Sequence, residues 1–130
     1  MTSAQPDAPK QYVCVATVFH VRRWRHVLPL MKMANAVARQ AQESPGIVRY
    51  GLRANLFKRR FWTVSVWDDP ASIKTFMQAE PHATAMRMSP EWAGGGAAFV
   101  RWESEDRAVD WKVAEERLRT SGRQYRLPNP

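Results

Sequence analysis

The sequence predicts an α+β fold of the ferredoxin-like kind, a four-stranded antiparallel sheet with its two main helices on one face. Three observations carry this. Hydrophobic patterning changes period along the chain in the order β-α-β-β-α-β, the split βαβ arrangement. Residues 61–67 (FWTVSVW) alternate strictly, with Trp62, Val64 and Val66 on one side and Phe61, Thr63, Ser65 and Trp67 on the other. The 130 residues, 45% hydrophobic and including six Trp, are enough for one packed domain and small for an enzyme with its own cofactor domain.

The first strand is residues 12–19 (YVCVATVF), a near-continuous apolar run suited to a central position with both faces covered. A basic loop, His20 to His26, and Pro29 follow. Leu30, Met33, Ala34, Val37 and Ala41 then recur at helical spacing, and Ser44-Pro45-Gly46 ends that helix. The second strand, residues 47–56, sets Val48, Tyr50, Leu52, Ala54 and Leu56 on one face and Arg49, Gly51, Arg53 and Asn55 on the other. Residues 57–60 turn the chain into residues 61–67, so these two strands form an antiparallel hairpin. Asp68-Asp69-Pro70 stops the strand and starts a helix, with Asp as cap and Pro at a position whose N–H has no helical partner. That helix presents Ile73, Phe76 and Met77.

Pro81 interrupts the pattern, and a helical piece restarts over residues 82–88. Ser89-Pro90-Glu91 reads as a further cap and first turn, followed by Trp92 and the Gly94-Gly95-Gly96 run. Residues 97–104 form the fourth strand. Asp110 caps a closing helix in which Trp111, Ala114 and Leu118 share a face. The domain therefore covers residues 11–120, between a loose arm (1–10) and an extended tail (121–130).

The formal net charge of +8 admits nucleic acid, anionic lipid and anionic small molecules as partners. No apolar run approaches the roughly 20 residues of a bilayer span. The first ten residues lack the apolar core of a signal peptide. A cytoplasmic protein with no membrane partner is expected. Cys14 has no second cysteine to pair with in the chain. A sheet apolar on both sides needs a second layer, and a second copy of the chain is the simplest supplier, so a homodimer is expected.

Several residues carry candidate chemistry. His82 stands near a helix start, whose positive end keeps the ring neutral and available as a base or ligand. Met86 lies one turn later on the same face. Trp67 and Phe61, with Thr63 and Ser65 between them, make a wall for a flat aromatic ligand, and Phe76 faces them from the next helix. Trp92 beside the glycines is a candidate lid residue. Arg22 and Arg25 in the basic loop are candidate clamps for a carboxylate or phosphate. No second His, Cys or carboxylate falls at a spacing that closes a zinc site. An RNA-recognition module shares this element order, but residues 61–67 lack its Gly-aromatic signature, so nucleic acid ranks last among the partners.

The segment FWTVSVWDDPASIKTFMQAEPHATAM, with the closing DWKVAEERL, resembles the dimeric α+β-barrel superfamily and within it the antibiotic biosynthesis monooxygenase-like proteins; the likeness spans residues 11–118. It implies a ferredoxin-like protomer, two of which pack sheet to sheet into a barrel, with a pocket in each between sheet and helices. It also implies three functional classes: oxygenation of aromatic substrates without a metal, haem binding or degradation, and ligand binding without catalysis. In haem-degrading relatives a strand-three Trp and an iron-ligating His match Trp67 and His82 by region. The resulting expectation is a homodimer that binds a flat, anionic organic molecule and oxygenates it, with His82 as the catalytic group and either haem or no cofactor.

Overall fold

The computed structural model describes residues 9–93, 97–121 and 123–124. The elements run β1 (Tyr12–His20), α1 (Val27–Gln42), β2 (Ile47–Asn55), β3 (Arg60–Trp67), α2 (Pro70–Gln78), α3 (His82–Ala93), β4 (Ala97–Ser104), α4 (Trp111–Ser121) and β5 (Arg123–Gln124). The antiparallel sheet has the order β2-β3-β1-β4-β5. Its first four strands are the expected ferredoxin-like layout. The apolar first strand is central, hydrogen-bonded to β3 on one side and β4 on the other.

Strand register sorts the side chains onto two faces. Val13 pairs with Trp67 and Thr17 with Thr63, which puts these residues on the side covered by α1, α2 and α3. There Val13, Trp67, Val37, Ala41, Ile73 and Phe76 form one core cluster, and Val21, Leu30, Phe61 and Trp92 form another nearer the end of β1. The local start signals act as read. Asp69 Oδ1 accepts the Ser72 N–H at 2.8 Å with Pro70 opening α2, and Asp110 Oδ1 accepts the N–H groups of Lys112 and Val113 at the start of α4.

Four features differ from the sequence reading. First, α3 runs unbroken from His82 to Ala93 with Pro90 inside it, where a new cap was expected. Pro90 sits in the last turn, so only one backbone bond is lost, and burial of Trp92 together with the Arg22 N–H bond to the Trp92 carbonyl (2.8 Å) holds that turn in place. Second, α1 begins at Val27, with Pro29 in its first turn, where a missing N–H is tolerated. Third, β2 carries an irregularity between Ile47 and Arg49, so Ile47 and Tyr50 reach the same core and the strict alternation through Val48 fails. Fourth, α4 covers the other side of the sheet. Ala114, Trp111 and Leu118 pack on Ala16, Val64 and Val100, in the place the sequence reading assigns to a second copy.

Gly51 marks where α4 sits. A Cβ there would lie 3.0 Å from the Trp111 ring and 3.2 Å from Val109, so the glycine lets the indole lie directly on the strand. Arg53 faces the same side, its Nη1 3.6 Å from Glu115 Oε1 and its guanidinium 5.7 Å over the Trp111 ring. The strip left outside this contact is Val18, Trp62 and Ala98, which are half-buried.

The β2–β3 turn closes without glycine because Arg59 adopts positive φ (54°), while the Asn55 side chain accepts the Lys58 N–H at 3.1 Å. The Gly94-Gly95-Gly96 run, residues 1–8 of the N-terminal arm, and residues 122 and 125–130 of the tail lie outside the described residues.

Candidate functional site

A cavity of about 150 Å³ lies between the sheet and the three helices on its first face. The sheet wall is Val15, Thr17, Phe19, Tyr50, Thr63, Ser65 and Trp67. Opposite stand Met33 and Val37 from α1, Phe76 from α2, and His82, Ala85 and Met86 from α3. This polarity follows from the strand pattern. The pocket side of β3 holds small hydroxyl residues between Phe61 and Trp67, and small residues leave room under the helices.

Three rings stand in a row along one wall. Trp67 and Phe76 have centroids 5.1 Å apart, and Phe76 and His82 4.7 Å apart. The row exists because β3 hands the chain to α2 at Asp68-Asp69-Pro70, and α3 restarts at His82 only four residues after α2 ends. Gln40 on α1 joins the two helices. Its Nε2 donates to the Phe76 carbonyl (2.9 Å), and its Oε1 accepts the His82 backbone N–H (2.8 Å). The Glu80 carboxylate accepts the Thr84 N–H at 2.9 Å, so the first turn of α3 is capped by side chains.

The polar groups at the cavity are few. Burial lowers the His82 pKa from its ordinary 6.5, against the opposing effect of its contact with the Met77 carbonyl, 3.4 Å from Nδ1. The imidazole is therefore neutral near pH 7. With Nδ1–H donating to Met77, the Nε2 lone pair is the free one. Burial pushes the Tyr50 hydroxyl up to about 12 despite a hydrogen bond with Thr63, so it remains a protonated donor. The Thr17 and Thr63 hydroxyls bond each other at 2.5 Å. The Trp67 indole N–H is buried without a hydrogen-bond partner among the described residues. A buried donor of this kind calls for a water or a ligand oxygen.

His82 supplies a prediction. Its folded pKa lies below the unfolded value, so its contribution to stability is present above about pH 6.5 and is lost as pH falls through the folded pKa. Thermal unfolding of the wild type is expected to shift down between about pH 7 and pH 5. In His82→Gln that part of the shift should disappear. An unchanged pH slope in the variant would contradict a neutral, buried ring.

Of the site residues read from sequence, Trp67, Phe76, His82 and Met86 come together at the cavity. Phe61 and Trp92 do not line it; they are buried in the adjoining cluster with Leu30, which does. Arg22 and Arg25 are exposed and do not line the cavity. Among the described residues no Lys, Arg, Asp or Glu lines it, so the anionic charge expected of the ligand finds no counter-charge in that lining. Tyr50, Thr17 and Gln40 were not singled out. The signal for Tyr50 and Thr17 was present, since both fall on the pocket face beside Ser65 and Thr63. A wider groove of about 640 Å³ between the ends of α1 and α2 is more open, and its Asp69 is already engaged as a helix cap.

No protein-family model and no curated protein matches the sequence. Solved structures match the fold. One from Mycobacterium tuberculosis aligns over 75% of this chain and 99% of its own, with a TM-score of 0.66 at 13% identity. A conserved protein from Methanosarcina mazei Go1 aligns over 72% and 93%, with a TM-score of 0.63 at 13% identity. A structure described as an antibiotic biosynthesis monooxygenase aligns over 71% and 97%, with a TM-score of 0.63 at 11% identity. At such identities the likeness is one of fold.

Proposed function

We propose that this chain, which shares its fold with antibiotic biosynthesis monooxygenase structures, binds a small, flat, uncharged aromatic molecule bearing an oxygen, in the cavity beside Trp67 and His82. The observation that carries this reading is the unpartnered, buried N–H of Trp67, a residue that lines a largely apolar cavity with a few hydroxyls and a neutral imidazole. A ring can stack against Phe76 and Trp67 while its oxygen takes the indole or Tyr50 donor. A cavity of about 150 Å³ matches the scale that accommodates benzene, so a ligand of one or two rings is the class that suits it.

Oxygenation is the reaction such a site favours. His82 Nε2 takes a proton from an activated CH₂ of the bound molecule, and the Tyr50 hydroxyl stabilises the charge that moves onto the ligand oxygen. The substrate then supplies the electrons to dioxygen. The CH₂ becomes a carbonyl holding one oxygen atom, and the other leaves as water with both hydrogens.

Haem does not fit these residues. His82 has the neutral ring an axial ligand needs, but a cavity of about 150 Å³ leaves a macrocycle no room between Phe76, Trp67 and the helices. The homodimer belongs to this proposal in reduced form. A second copy would cover the strip of Val18, Trp62 and Ala98, since α4 occupies the rest of that face.

Calorimetric titration with a hydroxylated naphthalene tests the binding. The wild type is expected to bind, and Ala85→Leu, which adds an isopropyl group to the cavity wall, is expected to weaken binding about tenfold or more. Val113→Ser, on exposed α4 surface, should leave it unchanged. Wild-type silence toward one- and two-ring aromatics, or equal binding in Ala85→Leu, would reject the cavity as the site.

A further inference from the structure

The end of the sheet where β1 finishes carries a separate feature. The β2–β3 turn exposes Leu56 (44%) and Phe57 (93%), and the segment entering α1 exposes Trp24 (59%) and Leu28 (60%). Hydrogen bonds tie the two segments together. The Val21 N–H donates to the Arg59 carbonyl (2.8 Å), Arg59 Nε donates to the Val21 carbonyl (3.1 Å), and the Arg59 guanidinium lies 5.1 Å over the Trp24 ring.

Six cations belong to the same two segments: Arg22, Arg23, Arg25, Lys58, Arg59 and Arg60. The sequence has no acidic residue in 9–42 or in 44–67. The ion pairs found among the described residues use other groups. Glu91, in the last turn of α3, is the acid this end does have, and it makes none of those pairs.

Acids collect at the opposite end. Asp68 and Asp69 follow Trp67, which pairs with Val13 at the start of β1. Glu105, Asp106 and Asp110 follow Ser104, which pairs with Tyr12. Lys10, paired with Asp68 at 3.0 Å, and Arg107 and Lys112 offset part of that acid, so the two ends differ in net charge, and the field of the whole chain turns the apolar, cationic end toward a negative surface.

We propose that this end docks on an anionic membrane surface, with Phe57, Leu56, Trp24 and Leu28 entering the boundary between headgroups and acyl chains and the surrounding cations meeting lipid phosphates. An anionic bilayer offers both phases this end lacks in water, an apolar one for the four side chains and negative charge for the six cations. Nucleic acid would take the cations and stack on the rings, but it leaves Leu28 and Leu56 exposed. A second copy meeting end to end would bring like charges together. The expectation of no membrane partner rests on the absence of a spanning segment alone. No described helix is long and apolar enough to cross a bilayer, but crossing and lying on a surface are different demands. This proposal does not depend on the cavity.

Flotation of the full chain with vesicles of phosphatidylcholine alone or mixed with phosphatidylserine tests it. Binding is expected to the mixed vesicles, weakly or not at all to the neutral ones, and to fall as salt rises. Phe57→Ser should weaken it about tenfold or more by removing the most exposed apolar group. Arg23→Glu combined with Lys58→Glu should weaken it to a similar degree. All three positions are solvent-exposed, so thermal midpoints should match wild type and exclude misfolding as the cause. Absence of binding to mixed vesicles at low salt overturns the proposal. So does vesicle binding that Phe57→Ser leaves intact, or capture of short duplex DNA without capture of vesicles.

Discussion

Trp67→Ala is expected to lower folding stability by about 3–5 kcal/mol and to abolish ligand binding in the cavity. Trp67 is fully buried, at the end of β3, opposite Val13 on β1 and Ile47 on β2. Its ring supports Phe76, which in turn supports His82. Truncation would join the lost indole volume to the existing cavity of about 150 Å³, and apolar space of that kind does not collapse fully. Urea unfolding measures the loss. Trp67→Phe keeps one ring against Phe76 but loses three heavy atoms together with the unpartnered N–H, so it should unfold between Trp67→Ala and wild type and bind an oxygen-bearing aromatic more weakly than wild type. A loss below about 1 kcal/mol in Trp67→Ala would mean that the ring row is not a structural support.

Gly46→Ala is expected to destabilise the fold by about 3 kcal/mol through two additive effects. Gly46 has φ of +86°, a conformation that strains any residue with a Cβ. The added Cβ would also stand 2.1 Å from Ser72 Oγ and 2.5 Å from Ser72 Cβ, in the first turn of α2. That turn cannot simply retreat, because the Asp68 N–H donates to the Gly46 carbonyl at 2.8 Å and Asp69 caps Ser72. Adding Ser72→Ala should recover only part of the loss, since its Cβ remains in the way. Full recovery in the double variant would show that the hydroxyl alone was the obstacle and that the backbone strain is negligible.

The convergence of Trp67, Phe76 and His82 was legible because it rests on local grammar. A two-faced strand, an Asp-Asp-Pro stop and a short break at Pro81 place all three rings within sixteen positions of one another. The clamp by Gln40 was not legible, since it joins residues 42 positions apart and depends on how α1 lies beside α3. Helical periodicity showed that Trp111, Ala114 and Leu118 share a face, but periodicity does not say which surface that face will meet. Gly51, bare on a strand otherwise rich in large side chains, was the one hint. The arginines of the first loop suit an anionic ligand by their chemistry alone, and the fold leaves them exposed and outside the cavity lining. Alternation misled at Val48, where one extra residue resets the faces of β2.

The seat of α4 on the sheet has a bearing on self-association. A helix tethered to the strand it covers is present at an effective concentration that no free molecule readily matches, so it holds that strip against an incoming competitor. Full face-to-face closure of two chains would thus be linked to release of the tethered helix, and its extent would be set by an internal opening equilibrium as much as by the affinity of one surface for the other.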